Sequence, residues 1–166
     1  MADKFLELLA TPSVAKAQEH YYGHARQMSG NAKPDALTED EIQFIRSRDS
    51  FYMATISESD WPYVQHRGGP RGFLKVVSPT RITFPDFRGN RQYVSVGNAM
   101  KNDRASMIVV DYANRRRLKL FGRLQFHDGA VELPGYPARV ERVAVIDIEA
   151  FDWNCPQHIT PRVRPE

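Results

Sequence analysis

The spacing of apolar and polar side chains changes near residue 50. Before that point, residues 3–28 place their apolar side chains at helical intervals, and Pro12 predicts a break between two short helical segments. After a turn-rich linker, Thr38 is followed three residues later by Glu41, a capping-box pattern that predicts a short helix over residues 39–48. The front of the chain is therefore predicted to be helical.

From residue 51 onward, short runs of β-branched, aromatic and alternating apolar side chains are separated by turn residues, which is typical of strands. One short helix, ending near Asn102, is predicted within residues 89–103. Because helices do not alternate with strands, we expect a mainly β fold, an antiparallel barrel with peripheral helices, rather than a parallel sheet. The seven predicted strands are residues 51–57, 63–69, 72–78, 81–87, 104–112, 116–127 and 142–153.

Composition adds three expectations. A chain of 166 residues has the size of one domain, which we divide into an N-terminal helical arm, residues 1–37, and a barrel, residues 38–166. No apolar run reaches the roughly 20 residues of a membrane span, and the N-terminus lacks the pattern of a secretory signal. Since Cys155 is the single cysteine, no internal disulfide can form, and we expect a cytoplasmic protein without a membrane partner.

The net charge of +3 favours an anionic partner, although 20 carboxylates are interspersed with the basic residues. The densest basic run, Arg115 to Lys119, has only Tyr112 nearby as an aromatic platform, so a small phosphorylated ligand is favoured over nucleic acid. His20 and His24 share the spacing of a zinc pair, but the glutamate of a zinc-protease helix is absent, and we expect no metal.

The stretch YVQHRGGPRGFLKV interrupts a strand signal with glycines and a proline. Alternation along the strand places Gln65 and Arg67 on one face and His66 on the other. Gly68 and its neighbouring glycine would let the backbone approach a ligand, and Arg67 and Lys75 could meet an anion. The alternative interpretation is a bulged hairpin with solvated basic side chains.

The segment FPDFRGNRQY places Arg88, Asn90 and Arg91 where a strand ends and a helix begins. Free backbone N–H groups at a helix start, with arginines beside them, suit a phosphate. The alternative is a helix capped by Asn90 with exposed arginines. The glycine spacing excludes a dinucleotide fingerprint or a Walker loop.

The C-terminal segment FDWNCPQHITPR gathers aromatic, amide and imidazole side chains after the last strand. Such a set can line a substrate pocket, with His158 as a proton donor or hydrogen-bonding group. The alternative is an ordered tail packed by its tryptophan. The pocket candidates are Trp153, Asn154, Gln157 and His158.

Taken together, these segments resemble the pyridoxamine 5′-phosphate oxidase-like family of FMN-binding split barrels. The resemblance covers residues 38–162 and rests on the order of FYMATIS, WPYVQHRGGPRGFLKV, ITFPDFRGNRQYVSVGN, NDRASMIVVDY, RRRLKLFGRLQF and FDWNCPQHITPR. It implies an antiparallel barrel of six or seven strands that forms a homodimer, with one FMN in each of two clefts at the interface.

The resemblance also implies roles for individual residues. The strand that contains Gln65, His66, Arg67 and Gly68 would run beside the flavin ring and ribityl chain, and Arg67 and Lys75 would face the FMN phosphate. Further cofactor contacts are implied at Asn90, Arg91, Gln92, Ser95 and Arg117.

The sequence departs from the oxidases in two places. The tail reads NCPQHITPR instead of an RLHDR-like motif, and Gly97 stands where the oxidases' substrate helix carries an arginine. We therefore expect an FMN-dependent oxidoreductase that acts on a small molecule other than vitamin B6 phosphate, with Trp153 and His158 on the substrate side of the flavin. The alternatives are a deazaflavin in place of FMN, or a non-catalytic flavin- or haem-binding protein with His66, His127 or His158 as the iron ligand.

Overall fold

The computed structural model describes residues 3–129, 137–163 and 165. The helices are α1 (Asp3–Leu9), α2 (Pro12–Tyr22), α3 (Glu39–Arg46) and α4 (Val94–Lys101). The strands are β1 (Ser50–Ile56), β2 (Pro62–Gly68), β3 (Lys75–Ser78), β4 (Arg81–Phe87), β5 (Arg104–Asp111), β6 (Arg116–Asp128) and β7 (Val140–Asn154). None of the helices in these ranges is both long and apolar enough to cross a bilayer.

All seven strands belong to one antiparallel sheet with the order β2-β1-β5-β6-β7-β4-β3. Although β2 lies at one edge and β4 next to the opposite edge, an ion pair joins Arg67 of β2 to Asp86 of β4. The sheet therefore curls until its two ends meet. The prediction of a mainly β, antiparallel fold is confirmed.

Strand alternation divides the sheet into an inner and an outer face. In β1, Phe51 and Met53 are buried, whereas Tyr52 is half-buried on the opposite face. The register of β1 with β2 pairs Phe51 with Arg67 and Tyr52 with His66. Arg67 thus lies on the inner face and His66 on the outer face, as the alternation predicts.

One apolar core fills the inside of the curled sheet. It joins side chains from α3, from the loop before β3 and from the strands, and many of them have less than 2 % of their surface exposed. Burial of this apolar surface supplies the main driving force for the fold. The largest fully buried core side chains are Phe51, Phe84, Ile45, Met53, Leu74, Ile82, Leu118, Leu120, Leu124, Ile146 and Val109.

The glycines after β2 serve packing within the chain. A Cβ on Gly69 would lie 2.7 Å from the ring of Phe73, which is buried in the core, so only glycine fits there. Gly72 has a φ of +79° and its N–H donates to the carbonyl of Arg48. Packing against Phe73 is thus one reason for glycine at position 69, and the approach of a ligand to this segment stays a prediction.

The N-terminal segment lies against the outer face of the sheet. The Phe5 ring stacks on Phe121 of β6 with centroids 4.4 Å apart, and Lys119 lies 4.8 Å from the same ring. The Asp35 carboxylate accepts a hydrogen bond from the backbone N–H of Phe151 in β7. The division into residues 1–37 and 38–166 stays a prediction.

Candidate functional site

A small cavity of about 80 Å³ lies between β2, β4, the loop after β4 and the start of α4. We call it the β2–α4 cavity. Three arginines and one carboxylate line it, so its formal charge is positive. The sequence-predicted residues that line this cavity are Gln65, Arg67, Asn90, Arg91, Gln92 and Ser95.

An ion cluster of two arginines and one aspartate forms the wall of the cavity. Arg67 Nη1 lies 2.6 Å from Asp86 Oδ1, and Arg142 Nη2 lies 2.8 Å from Asp86 Oδ2. The Asp86 side chain is 8 % exposed, so both ion pairs are shielded from water. Arg67 Nε is buried and has no hydrogen-bond partner among the described residues. One guanidinium donor in this wall thus stays unsatisfied.

Arg142 stays charged in this setting. Burial opposes the charged form, but the hydrogen bonds and negative charge of Asp86 outweigh burial and raise the pKa of Arg142. The same guanidinium lies 4.8 Å from the ring of Tyr93, and the Arg67 guanidinium lies 5.5 Å from that of Phe84. These contacts hold both cations in place at the cavity wall.

The loop before α4 brings backbone donors to the cavity. Arg91 and Tyr93 adopt left-handed backbone conformations, with φ of 62° and 51°. The Asn90 side chain accepts a hydrogen bond from the Gln92 N–H, which closes the turn. Tyr93 is the N-cap of α4 and makes no side-chain capping bond, so the positive end of the helix dipole is open toward the cavity.

Buried hydrogen bonds fix the start of α4 against the sheet. Ser95 Oγ donates to the Gln65 side-chain oxygen at 3.2 Å, and Asn98 donates to the Thr55 hydroxyl at 2.9 Å. Ser95, Asn98 and Thr55 are all buried. The helix N-terminus is therefore held rigidly beside β2, which a preformed anion site requires.

Two residues of this site, Asp86 and Arg142, were missed by the sequence reasoning. A signal for Asp86 exists, because it follows Ile82 and Phe84 at the period of a strand and so belongs to the buried face of β4. A carboxylate on the buried face requires a positively charged partner, because an unpaired buried charge is costly. The β4–β7 register pairs Asp86 with Arg142, but the sequence alone does not give that register.

The other predicted residues near β2 lie outside the cavity lining. His66 packs edge-on against Tyr52 on the outer face, with centroids 5.3 Å apart. A Cβ on Gly68 would lie 3.4 Å from His66 Cε1, an ordinary contact. Lys75 is exposed on β3, on the face opposite the buried Val76. Their cofactor roles stay predictions that the resemblance implies.

Arg117 lies on a second cavity of about 290 Å³, which we call the outer-face cavity. The strands contribute Tyr52, Ile108 and Val110, and His158 and Arg162 of the C-terminal tail also line it. Because β5 pairs Val110 with Arg117, the arginine is on the outer face, away from Arg67. Within one chain, Arg117 and Arg67 therefore belong to different cavities.

Trp153 and Asn154 lie beside the turn between β5 and β6. Trp153 Nε1 donates to a Glu41 carboxylate oxygen at 2.6 Å, and the indole packs edge-on against Phe44. Burial tends to raise the pKa of Glu41, but hydrogen bonds from Thr38 and Trp153 outweigh it and lower that pKa. The indole thus has a structural partner in α3.

The remaining pocket candidates, Asn154 and Gln157, differ in burial. Gln157 is exposed in the tail, and Asn154 has a buried side-chain oxygen without a hydrogen-bond partner among the described residues.

Arg116 pairs with Asp40, so the basic run is not wholly solvated. No group of three His, Cys, Asp or Glu side chains in the described part of the chain comes together as metal ligands.

Comparison with known proteins decides the family. Residues 37–150 match the family described as pyridoxamine 5′-phosphate oxidase. The chain belongs to that family. Its match covers β1 to β6 and most of β7, including the three arginines and the aspartate of the β2–α4 cavity. No curated protein matches the sequence.

Solved structures of the pyridoxamine 5′-phosphate oxidase family and related folds share the architecture. A putative pyridoxamine 5′-phosphate oxidase from Lactobacillus delbrueckii matches with a TM-score of 0.54 and 16% identity over 73% of this chain and 99% of its own. HupZ from Group A Streptococcus matches with a TM-score of 0.55 and 10% identity, over 76% of this chain and 99% of its own. A conserved hypothetical protein from Mycobacterium tuberculosis matches with a TM-score of 0.50 and 14% identity, over 86% of this chain and 98% of its own. The predicted split-barrel fold is confirmed.

Proposed function

We propose that this member of the pyridoxamine 5′-phosphate oxidase family binds FMN and holds its phosphate in the β2–α4 cavity. The observation that carries the proposal is the unsatisfied Arg67 Nε in a wall with an excess of arginine over carboxylate. An anion would give this donor a partner and would meet the open N-terminus of α4. Arg91 of the adjoining loop adds a further cation.

The volume of the cavity limits which part of the cofactor it can take. Sites for drug-sized ligands measure about 300–1,000 Å³, whereas this cavity measures about 80 Å³. It suits a phosphate group and leaves the flavin ring outside. We propose that a second copy of the chain completes the cleft around the ring, in a homodimer.

FMN would supply hydride or electron transfer, which no side chain of this protein performs alone. Arg67, Arg91 and Ser95 would hold the phosphate, and Gln65 would orient Ser95 through their hydrogen bond. We propose an oxidoreductase that acts on a small molecule in the cytoplasm. A flavin-binding protein without turnover is the alternative, since the fold does not fix function.

The test compares FMN with riboflavin, which lacks the phosphate, by fluorescence titration of the purified chain. FMN should bind at least tenfold more tightly, and Arg91→Ala should remove most of that difference. Arg81→Ala is the matched control, because Arg81 is an exposed arginine paired with Asp147 on the surface. Equal affinity for FMN and riboflavin would contradict the phosphate assignment.

A further inference from the structure

Arg142 lies at the boundary between two cavities. It lines the β2–α4 cavity and also a larger cleft of about 1020 Å³ between α4 and the end of β6, which we call the α4–β6 cleft. This cleft offers the guanidinium both room and a second acid, because Asp128 lines it and is the β6 register partner of Arg142. Directly opposite residues of an antiparallel pair lie close together on one face of the sheet. Arg142 can therefore be drawn to either cavity.

The ring of Tyr93 favours the β2–α4 side of this boundary. The Arg142 guanidinium lies 4.8 Å from the centroid of that ring, and its Nε donates to Asp86 Oδ2 at 2.9 Å. The face of an aromatic ring attracts a cation electrostatically. The ring and the carboxylate together hold Arg142 beside Asp86 rather than in the α4–β6 cleft.

The backbone of Tyr93 adopts a conformation that is uncommon for tyrosine. Its φ of 51° and ψ of 31° lie in the left-handed region, and its side chain is 45 % exposed, so burial in the core does not account for it. The Tyr93 carbonyl accepts the first hydrogen bond of α4, from the N–H of Gly97. Left-handed residues other than glycine cluster at binding sites. Here the conformation places an aromatic ring against Arg142 at the residue where α4 begins.

The position of Arg142 determines how Asp86 acts on an anion in the β2–α4 cavity. With both arginines in place, Asp86 Oδ1 pairs with Arg67 and Oδ2 with Arg142. If Arg142 turned into the α4–β6 cleft, Arg67 alone would compensate the carboxylate, and the cavity would lose one positive charge. An anion there would then be bound less tightly, because charges interact strongly where water is excluded.

We propose that Tyr93 is a positioning residue for phosphate binding: its ring holds Arg142 against Asp86 and so keeps the β2–α4 cavity positively charged. Tyr93 acts through Arg142 and needs no contact with the phosphate itself. The inference rests on the proposed function, because the anion concerned is the phosphate of FMN.

The test measures FMN and riboflavin affinities of Tyr93 variants by fluorescence titration. Tyr93→Leu removes the aromatic face and should weaken FMN binding about fivefold, with riboflavin affinity within about twofold of wild type, since one cation–π contact is lost. Tyr93→Phe keeps the face and should restore FMN affinity to within about twofold of wild type. Tyr21→Leu is the matched control, because Tyr21 is a tyrosine of α2 that is 86 % exposed and is not among the residues that line either cavity.

A double-mutant cycle with Arg142→Gln shows whether Tyr93 acts through Arg142. In the Arg142→Gln background the ring has no cation to hold, so adding Tyr93→Leu should change FMN affinity less than about twofold. Thermal unfolding without ligand checks that each variant is folded. The Tyr93 substitutions change a side chain that is nearly half exposed, so the single variants should fold like the wild type.

The outcomes separate this inference from the proposed function. Equal affinity of the wild type for FMN and riboflavin would overturn the proposed function and this inference with it. A preference for FMN that persists unchanged in Tyr93→Leu would overturn the inference alone. So would a loss that Tyr93→Phe does not restore, because the hydroxyl and not the ring face would then matter. Additive losses in the Arg142→Gln background would show that Tyr93 acts on the phosphate directly, which also contradicts the inference.

Discussion

Replacing Asp86 with asparagine should lower stability and strengthen FMN binding at the same time. Asp86 is the shared counter-ion of Arg67 and Arg142, and the three side chains are 8 %, 13 % and 16 % exposed, respectively. Asparagine keeps the size and one acceptor oxygen but removes the negative charge. Arg67 would then lose its carboxylate partner, Arg142 would keep only Glu141, and any bound phosphate would lose a repulsive neighbour.

The two effects have opposite consequences and similar sizes. Removing one partner of a buried ion pair costs about 3–5 kcal/mol, and the retained acceptor places Asp86→Asn near 3 kcal/mol. For a chain of this length, such a loss lowers Tm by about 6–12 °C. An anion in a cavity of 80 Å³ lies close to the carboxylate. Two unit charges about 6 Å apart repel by about 3 kcal/mol at an effective dielectric constant near 20.

Thermal unfolding and FMN titration of Asp86→Asn test both effects. Tm should fall without ligand, and FMN affinity should rise at least tenfold at low salt while riboflavin affinity stays unchanged. The control is Asp147→Asn, an exposed aspartate paired with Arg81, which should change stability by about 0.5 kcal/mol or less. A variant that loses stability but binds FMN no better than wild type would refute the assignment of the phosphate to this cavity.

Two further predictions concern the fold. A Cβ on Gly122 would lie 2.5 Å from the Ile146 side chain and 2.6 Å from a backbone oxygen. Gly122→Ala should therefore lower the free energy of unfolding by about 1–3 kcal/mol, measured by denaturant unfolding. Gly97→Ala is the control, because a Cβ there meets open space and should leave stability unchanged or higher. Folding lowers the pKa of Glu41 from 4.5, so its contribution to stability is present above about pH 4.5 and is lost as pH falls through the folded pKa. In the Glu41→Gln variant, the free energy of unfolding should therefore fall less between pH 6 and pH 3 than it does in the wild type, as measured by denaturant unfolding at each pH.

Local patterns carry much of the fold. The alternation in β1 and β2 predicts which faces Gln65, His66 and Arg67 occupy, and the Thr38–Glu41 capping box is present at the start of α3. These features depend on residues close in sequence, where period and capping chemistry decide the conformation. The sequence therefore predicts the elements and part of the wall of the β2–α4 cavity.

Long-range pairing could not be predicted. Arg142 reaches Asp86 only through the β4–β7 register, which joins strands far apart in the chain. Arg117 lies on the outer face because of the register in which β6 pairs with β5. A register shift by one residue would place it on the inner face. The resemblance implies that Arg117 and Arg67 contact one cofactor between two chains; within one chain they line different cavities, and their joint role stays a prediction.

The most direct test of the central claim is the visible absorption spectrum of the freshly purified protein, followed by release of the bound cofactor and measurement of its mass. The account predicts a two-band flavin spectrum and the mass of FMN. A colourless protein that also fails to take up added FMN would contradict it, as would a Soret band of haem or the release of a deazaflavin.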